Sequence, residues 1–182
     1  MGSEMCIRDS NGKMQTSNIQ LGINPWDAGI SQTGLSLTGG SDYILNFQAS
    51  ATATRTVDIK IGFDDGSNIY YDGGFVISST AEDYTVMFTN VANTTNASVE
   101  FLIGLSDTDL IFDNIELKEI DCEVDPDVPT DPDGDCHESQ QVVVNGMFDN
   151  GIAPFNSWGC ICLLYTSPSP RDLSTSRMPS SA

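Results

Sequence analysis

Apolar and polar residues alternate along several short runs of this chain, which is the pattern of β-strands with one buried face. The runs occupy positions 42–49, 56–61, 84–88, 98–103 and 109–120. The inward rows of the first two runs are Tyr43, Leu45, Phe47, Ala49, Val57, Ile59 and Ile61. Polar residues with the opposite phase are Asn46, Gln48 and Glu100.

Turn-forming residues separate the runs. Segments rich in Gly and Asp occur at 38–41, 64–67 and 72–74, as expected for hairpin connections. No window has a helical period. Many short strands at regular spacing predict an all-β fold, an antiparallel sandwich or barrel, over residues 11–120.

The composition changes after Ile120. Residues 121–139 are dense in Asp and Pro and lack an apolar period, which predicts an extended, self-repelling linker. Cys122 and Cys136 bracket an Asp/Pro segment, and the sequence is compatible with a disulfide between them or with two free thiols. Residues 140–160 begin a new strand and turn, which we interpret as the start of a second, truncated β-sandwich.

Both ends of the chain look foreign to the domain. Residues 3–9 resemble a translated transposase-type sequencing adapter, residues 162–172 resemble its reverse complement, and residues 176–182 resemble its outer part. Such segments are excluded from fold reasoning. We therefore expect residues 1–10 and 161–182 to be artefacts, and both true termini of the protein to be missing.

The chain is strongly acidic, with a net charge of −19. Such a surface repels phosphate backbones, so we do not expect nucleic-acid binding. No apolar run approaches the ~20 residues of a transmembrane helix, so we expect no membrane partner. The sole histidine, His137, lies in the linker. The predicted domain therefore has no histidine for a catalytic triad or a metal cluster. An enzyme is therefore the least favoured interpretation.

The stretch 22–30 (GINPWDAGI) holds Trp26 at a proline turn beside a short apolar strand. A large aromatic in this setting either fills a core or offers a flat face to a ligand. On the pattern alone the core role is favoured, because aromatic side chains mostly serve cores.

Five segments, in this order, resemble a carbohydrate-binding module of families four and nine, also called the CenC-like domain. They are NGKMQTSNIQLGINPWDAGISQTGLSL, SDYILNFQASA, RTVDIKIG, YTVMF and IFDNIELKEI, within residues 11–120. The segment VVNGMFDNGIAPFNSWG resembles the opening of another copy. The resemblance implies a jelly-roll β-sandwich with a groove across one sheet. It also implies that the first copy lacks its opening strands, because the family's NGxFE-like opening occurs at 145–149.

The resemblance further implies that Trp26 lies at the groove and stacks on a sugar ring. An opposing aromatic is expected at Tyr70 or Tyr71, and only one of them should line the groove because adjacent strand residues face opposite sides. For each tyrosine the alternative is a position in the core, with the hydroxyl group in contact with solvent.

Polar side chains on the groove face would hydrogen-bond sugar hydroxyls. The candidates are Asn46, Gln48 and Glu100, which have the phase opposite to the apolar rows. Ordinary residues of a solvated sheet face are the alternative for each.

Family members often hold a structural Ca²⁺ ion, and the resemblance places one ligand at Asp113. A buried carboxylate needs a partner or a metal. Alternation puts this residue in the inward row Ile111, Asp113, Ile115 and Leu117. Carbonyls near Gly12 and Lys13 could complete the site, and Asp149 is the equivalent acid of the second copy.

These features predict non-catalytic binding of polysaccharide chains of the β-glucan or xylan class. The module would be monomeric and extracellular or on the cell surface. It would tether a larger multidomain protein, such as a secreted glycoside hydrolase, to its substrate. The alternative is a structural or adhesive β-sandwich without a glycan site.

Overall fold

The structure is a computed structural model. It describes residues 13–17, 19–67, 69–122, 136–143, 155–158 and 162–165, and for 121–122, 136–141 and 162–165 it describes the backbone. The strands in chain order are β1 (Met14–Ser17), β2 (Gly29–Leu37), β3 (Asp42–Ala51), β4 (Arg55–Phe63), β5 (Ile69–Ile77), β6 (Glu82–Thr89), β7 (Thr94–Leu102), β8 (Leu110–Cys122), β9 (Cys136–Gln141), β10 (Asn156–Trp158) and β11 (Cys162–Tyr165). One 3-10 turn spans Pro25–Asp27. No helix in the described ranges is long and apolar enough to cross a membrane.

The strands form two antiparallel sheets. Sheet A has the order β11-β1-β8-β3-β6, with β9 also paired to β8, and sheet B has the order β10-β2-β7-β4-β5. The arrangement is an antiparallel β-sandwich, which confirms the predicted fold class.

One hydrophobic core lies between the sheets. The residues of the two predicted inward rows are all buried: Tyr43, Leu45, Phe47, Ala49, Val57, Ile59 and Ile61. Aromatic rings join the layers, since the ring centroid of Phe47 in sheet A lies 5.4 Å from that of Phe101 in sheet B. Full burial of such a side chain stabilises the fold by about 1.5–3 kcal/mol. The prediction of these rows is confirmed.

Strand β8 changes phase in its middle. Asn46 pairs with Glu116 and Gln48 pairs with Asp113, so two residues of β8 lie opposite one residue of β3. Asn114 lies in this irregularity and has a φ of 51°. The extra residue is a β-bulge, which reverses the direction of the side chains on either side of it.

Because of this bulge, the buried residues of β8 differ from the predicted row. The buried residues of β8 are Leu110, Phe112, Ile115 and Leu117. The prediction that Ile111 and Asp113 point inward with Ile115 and Leu117 was therefore wrong, because a strict alternation carries no sign of the bulge.

The C-terminal part of the chain adds strands to the same sandwich. Strand β9 pairs with β8, β10 pairs with β2, and β11 pairs with β1. Most of β9 lies in the predicted linker, β10 lies in the predicted second unit, and β11 lies in the adapter-like end. The described parts of these segments therefore extend the first sandwich. The domain boundaries and the origin of the two ends stay predictions.

The register of β8 and β9 makes Cys122 and Cys136 direct partners. Opposed residues of an antiparallel pair have Cα atoms about 4.5–5.5 Å apart, which a disulfide can span. We predict a Cys122–Cys136 disulfide in protein purified without reductant, and expect its reduction to lower the free energy of unfolding by about 2–3 kcal/mol. Mass mapping of alkylated peptides would detect the cross-link, with Cys122→Ser as the control. Complete alkylation of both thiols without reductant would contradict the prediction.

Candidate functional site

The outer face of sheet B carries an open cleft of about 470 Å³. Its walls come from the 3-10 turn and from strands β4, β5, β7 and β10. The lining residues are Pro25, Trp26, Asp58, Lys60, Ile69, Asp72, Glu100, Leu102 and Trp158. The cleft therefore combines two indoles with a floor of charged side chains.

Trp26 stands at the rim of the cleft, on the 3-10 turn. Pro25 at the first position restricts φ to a helical value. The carboxylate of Asp27 accepts hydrogen bonds from the backbone N–H groups of Ile23 at 2.8 Å and Asn24 at 3.0 Å. The Trp26 side chain is 60% exposed. This exposure excludes the core-filling role that the pattern alone favoured, and it leaves the indole available to a ligand.

Backbone hydrogen bonds tie the segment around Trp26 to the end of β7. The Gly22 N–H donates to the Gly104 carbonyl at 2.7 Å, and the Gly104 N–H donates to the Pro25 carbonyl at 2.8 Å. A β-carbon at Gly104 would lie within 3.0 Å of backbone atoms of Asn24, Pro25 and Ala28. Only glycine allows this approach, so Gly104 fixes the position of the turn.

A buried arginine holds the segment on both sides of Gly104. The guanidinium of Arg55 donates hydrogen bonds to the carbonyls of Ile103, Ser106 and Thr108. Burial lowers the pKa of Arg55 to about 10, and the negative charge of Asp107 opposes this shift. Arg55 therefore stays charged at neutral pH and stabilises the loop on which the turn depends.

The floor of the cleft is a polar row across three strands. Glu100 of β7, Lys60 of β4 and Asp72 of β5 are successive cross-strand partners, and such partners share a face. The Lys60 Nζ lies 3.9 Å from the Glu100 Oε2, and the Ser98 hydroxyl donates to the Glu100 Oε1 at 3.0 Å. Asp58 adds another carboxylate to the lining. This floor presents mainly hydrogen-bond acceptors.

The structure separates the three polar candidates. Glu100 lines the cleft with Trp26, whereas Asn46 and Gln48 lie on β3 of sheet A. The Asn46 Oδ1 accepts a hydrogen bond from the Thr85 hydroxyl at 2.8 Å, and the Gln48 side-chain amide donates to Asp83 at 3.1 Å. Alternation predicted the outward direction of these two side chains, but it did not reveal that they belong to the other sheet.

Neither candidate tyrosine lines the cleft. Tyr70 and Tyr71 both pack against the core, while their neighbours Ile69 and Asp72 are in the lining. The Tyr70 ring is stacked on Phe88 with centroids 6.2 Å apart, and burial raises the pKa of its hydroxyl. An irregular register between β4 and β5 lets adjacent tyrosines face the core.

The second aromatic of the cleft is Trp158, which the sequence interpretation assigned to a separate unit. Its Nε1–H donates a hydrogen bond to the Trp26 carbonyl at 2.9 Å. The sequence shows two tryptophans, but local periodicity could not place residues so far apart on one face.

The described residues do not assemble a calcium site around Asp113. Its carboxylate pairs with the Lys13 ammonium at 3.0 Å and accepts a hydrogen bond from the Asn114 N–H. No group of three or more His, Cys, Asp or Glu side chains in the described part of the chain could hold a metal ion. Gly12 and Asp149 lie outside the described residues. Calcium binding therefore remains a prediction that rests on the family resemblance.

Comparison with known proteins identifies the fold. No protein-family profile and no curated protein matches the chain. Among solved structures it is similar to the unliganded carbohydrate-binding module of PbXyn10C, at 15% identity and a TM-score of 0.63, over 88% of this chain and 91% of that one. It is also similar to a CBM4 structure, at 18% identity and a TM-score of 0.57, over 60% of this chain and 72% of that one. The chain thus has a CBM4-like β-sandwich fold.

We predict that acid releases the Trp26 turn through Asp27. Hydrogen bonds from the N–H groups of Asn24 and then Ile23 hold the pKa of Asp27 below its ordinary value. The stabilisation is therefore complete above about pH 4 and is lost as the pH falls through the lowered pKa. In a Trp158→Phe chain, the emission of Trp26 should be constant from pH 7 to about pH 4 and shift below it.

The acid transition should be absent from the Asp27→Asn variant, because an amide does not titrate. Asp83→Asn, on the outer face of sheet A, is the matched control and should keep the transition. An acid shift that persists in Asp27→Asn would show that another group controls the turn.

Proposed function

We propose that this chain is a non-catalytic module that binds soluble polysaccharide chains of the β-glucan or xylan class. The observation that carries the proposal is the exposed indole of Trp26 beside an open cleft with a polar floor. An open cleft on a sheet face suits a segment of a long chain, whereas a closed pocket would select a small molecule.

Trp26 would supply the apolar contact. A pyranose ring presents axial C–H bonds on one face, and a flat indole matches this surface while both release water. Contacts to an aromatic face contribute about 1–2 kcal/mol each. The rigid turn around Trp26 reduces the conformational entropy that binding would otherwise cost.

The floor would supply the polar contacts. Carboxylates accept hydrogen bonds from hydroxyl groups, and Asp72 and Glu100 offer acceptor oxygens along one row. A neutral polyhydroxylated chain suits this floor, because an anionic polymer would be repelled by a protein with a net charge of −19.

The fold supports the same class of function. The similar PbXyn10C structure is a carbohydrate-binding module, and we extend its class to this chain as part of the proposal. On this basis the chain would be monomeric and extracellular, and would hold a larger protein, such as a glycoside hydrolase, on its substrate.

We predict that Trp26→Ala weakens binding of soluble β-glucan or xylan by about tenfold, which corresponds to the loss of ~1.4 kcal/mol of stacking. Glu100→Gln should weaken it less, since the amide still accepts one hydrogen bond. Isothermal titration calorimetry and retardation in glycan-containing gels would measure both effects.

Asn46→Ala and Gln48→Ala are the matched controls, because both residues lie on the outer face of sheet A. They should bind like the unmodified chain. If they weaken binding and Trp26→Ala does not, the ligand occupies sheet A and the proposed cleft is wrong. If the folded chain binds neither glycan, the structural or adhesive alternative is favoured.

A further inference from the structure

The cleft crosses the strands of sheet B from one side to the other. Trp158 of β10 pairs with Gly29 of β2, and its Nε1–H donates to the Trp26 carbonyl, so both indoles lie at the β10 end. Ile69 and Asp72 line the cleft from β5, the last strand in the order of sheet B. A glycan chain that lies along the cleft would therefore pass from the indoles to β5.

Charge is unevenly distributed along the floor between these two ends. In the middle, the Lys60 Nζ lies 3.9 Å from the Glu100 Oε2, so an ammonium and a carboxylate largely balance each other. Lys60 is the one cation among the described residues that line the cleft. No ion pair in the described ranges includes Asp58 or Asp72. These two carboxylates therefore keep an uncompensated negative charge.

Both uncompensated carboxylates belong to the β5 end. Asp58 is the cross-strand partner of Gly74 on β5, and a β-carbon at Gly74 would lie 2.7 Å from the Asp58 Oδ1. The Asp58 carboxylate therefore extends over β5, where glycine leaves room for it. Asp72 lies two residues before Gly74 on the same strand and is exposed. Residues two apart on a strand share a face, so this end of the cleft presents two carboxylates to a ligand.

We propose that Asp72, together with Asp58, makes the cleft selective against glycan chains that carry acidic substituents. This inference rests on the proposed function of the cleft. A ligand carboxylate, such as that of a glucuronic acid side group, would approach two carboxylates in a partly desolvated cleft, where like charges repel more strongly than in bulk water. A neutral substituent instead donates hydroxyl hydrogen bonds to the same oxygens. Chains with neutral side groups are therefore accepted.

The local carboxylates act differently from the net charge of the protein. At about 0.15 M ionic strength, exposed charges more than ~8 Å apart are largely screened, so the net charge of −19 has little effect on a substituent that is already bound. Asp58 and Asp72 lie in the cleft itself and are screened less. Removing the charge of Asp72 should therefore differ in effect from removing the charge of a distant carboxylate, although both change the net charge equally.

Two pairs of soluble polymers test the selectivity. Arabinoxylan and glucuronoxylan share a xylan backbone, and hydroxyethyl cellulose and carboxymethyl cellulose share a β-glucan backbone. In each pair only the second polymer carries carboxylates. We expect the unmodified chain to bind the acidic member of the pair it recognises roughly tenfold more weakly than the neutral member, at about 0.15 M ionic strength. The readout is the ratio of the two Kd values from isothermal titration calorimetry, because a general loss of folding or affinity cancels in it.

Substitutions at Asp72 should change this ratio according to their charge. Asp72→Asn should lower it roughly threefold, since the amide keeps the shape and one acceptor but not the charge, and Asp72→Lys should bring it to about one or below. Asp83→Asn is the matched control, because it removes the same charge from the outer face of sheet A. It should leave the ratio unchanged.

The same titrations separate this inference from the proposed function. A ratio that stays the same in both Asp72 variants would overturn the inference. An equal decrease in Asp83→Asn would also overturn it, because the selectivity would then come from the net charge. If the unmodified chain binds the neutral and acidic members alike, the selectivity is absent and the proposed function stands. If it binds neither neutral polymer, the proposed function itself fails, and the inference fails with it.

Discussion

The close approach of two backbone segments at Gly104 is the constraint on which the cleft depends. The Gly104 carbonyl accepts a hydrogen bond from the Gly22 N–H, and the Gly104 N–H donates to the Pro25 carbonyl. A side chain at Gly104 would collide with the facing backbone. Arg55 donates hydrogen bonds to the carbonyl of Ile103, directly before Gly104, and to those of Ser106 and Thr108 in the loop that follows. An exposed indole gains little from burial and cannot fix its own position. The orientation of Trp26 is therefore set by the backbone contacts of its turn, and a ligand in the proposed cleft would meet an aromatic surface that is already in place.

The sequence predicted individual strands well because each strand is a local pattern. The inward rows of β3 and β4 follow from period two, and burial at Phe47 and Ile59 confirms them. Membership of a sheet is a long-range property, since it depends on which strand pairs with which. Asn46 and Glu100 have the same outward phase but lie on different sheets. Asp113 shows a second limit, because one extra residue in a strand reverses the phase without changing the composition.

The sequence predicted only part of the candidate site, because residues far apart in the chain leave no local pattern. Trp26 lies in a short turn motif whose residues contact one another, so its exposure could be inferred from the resemblance. Trp158 lies 132 residues further along the chain, and no local pattern relates it to Gly29. In the sequence, Gly29 is recognisable only as a glycine at the start of a predicted strand. One of the two tyrosines was expected at the cleft because they are near the corresponding position in sequence, but the irregular β4–β5 register directs both toward the core.

The short strand β10 couples the stability of the edge of sheet B to the completeness of the cleft. Burial of Phe155 and part of Trp158 contributes about 3–5 kcal/mol, and the hydrogen bonds of the strand and the indole contribute about 1 kcal/mol each. Ordering the four described residues 155–158 costs about 4–8 kcal/mol of conformational entropy. The favourable contributions and the entropy cost are of the same order. A ligand that contacted Trp158 would bind the docked state and would favour it over any undocked state. If the proposed function holds, glycan binding and docking of β10 would stabilise each other, and a substitution that weakens one should weaken the other.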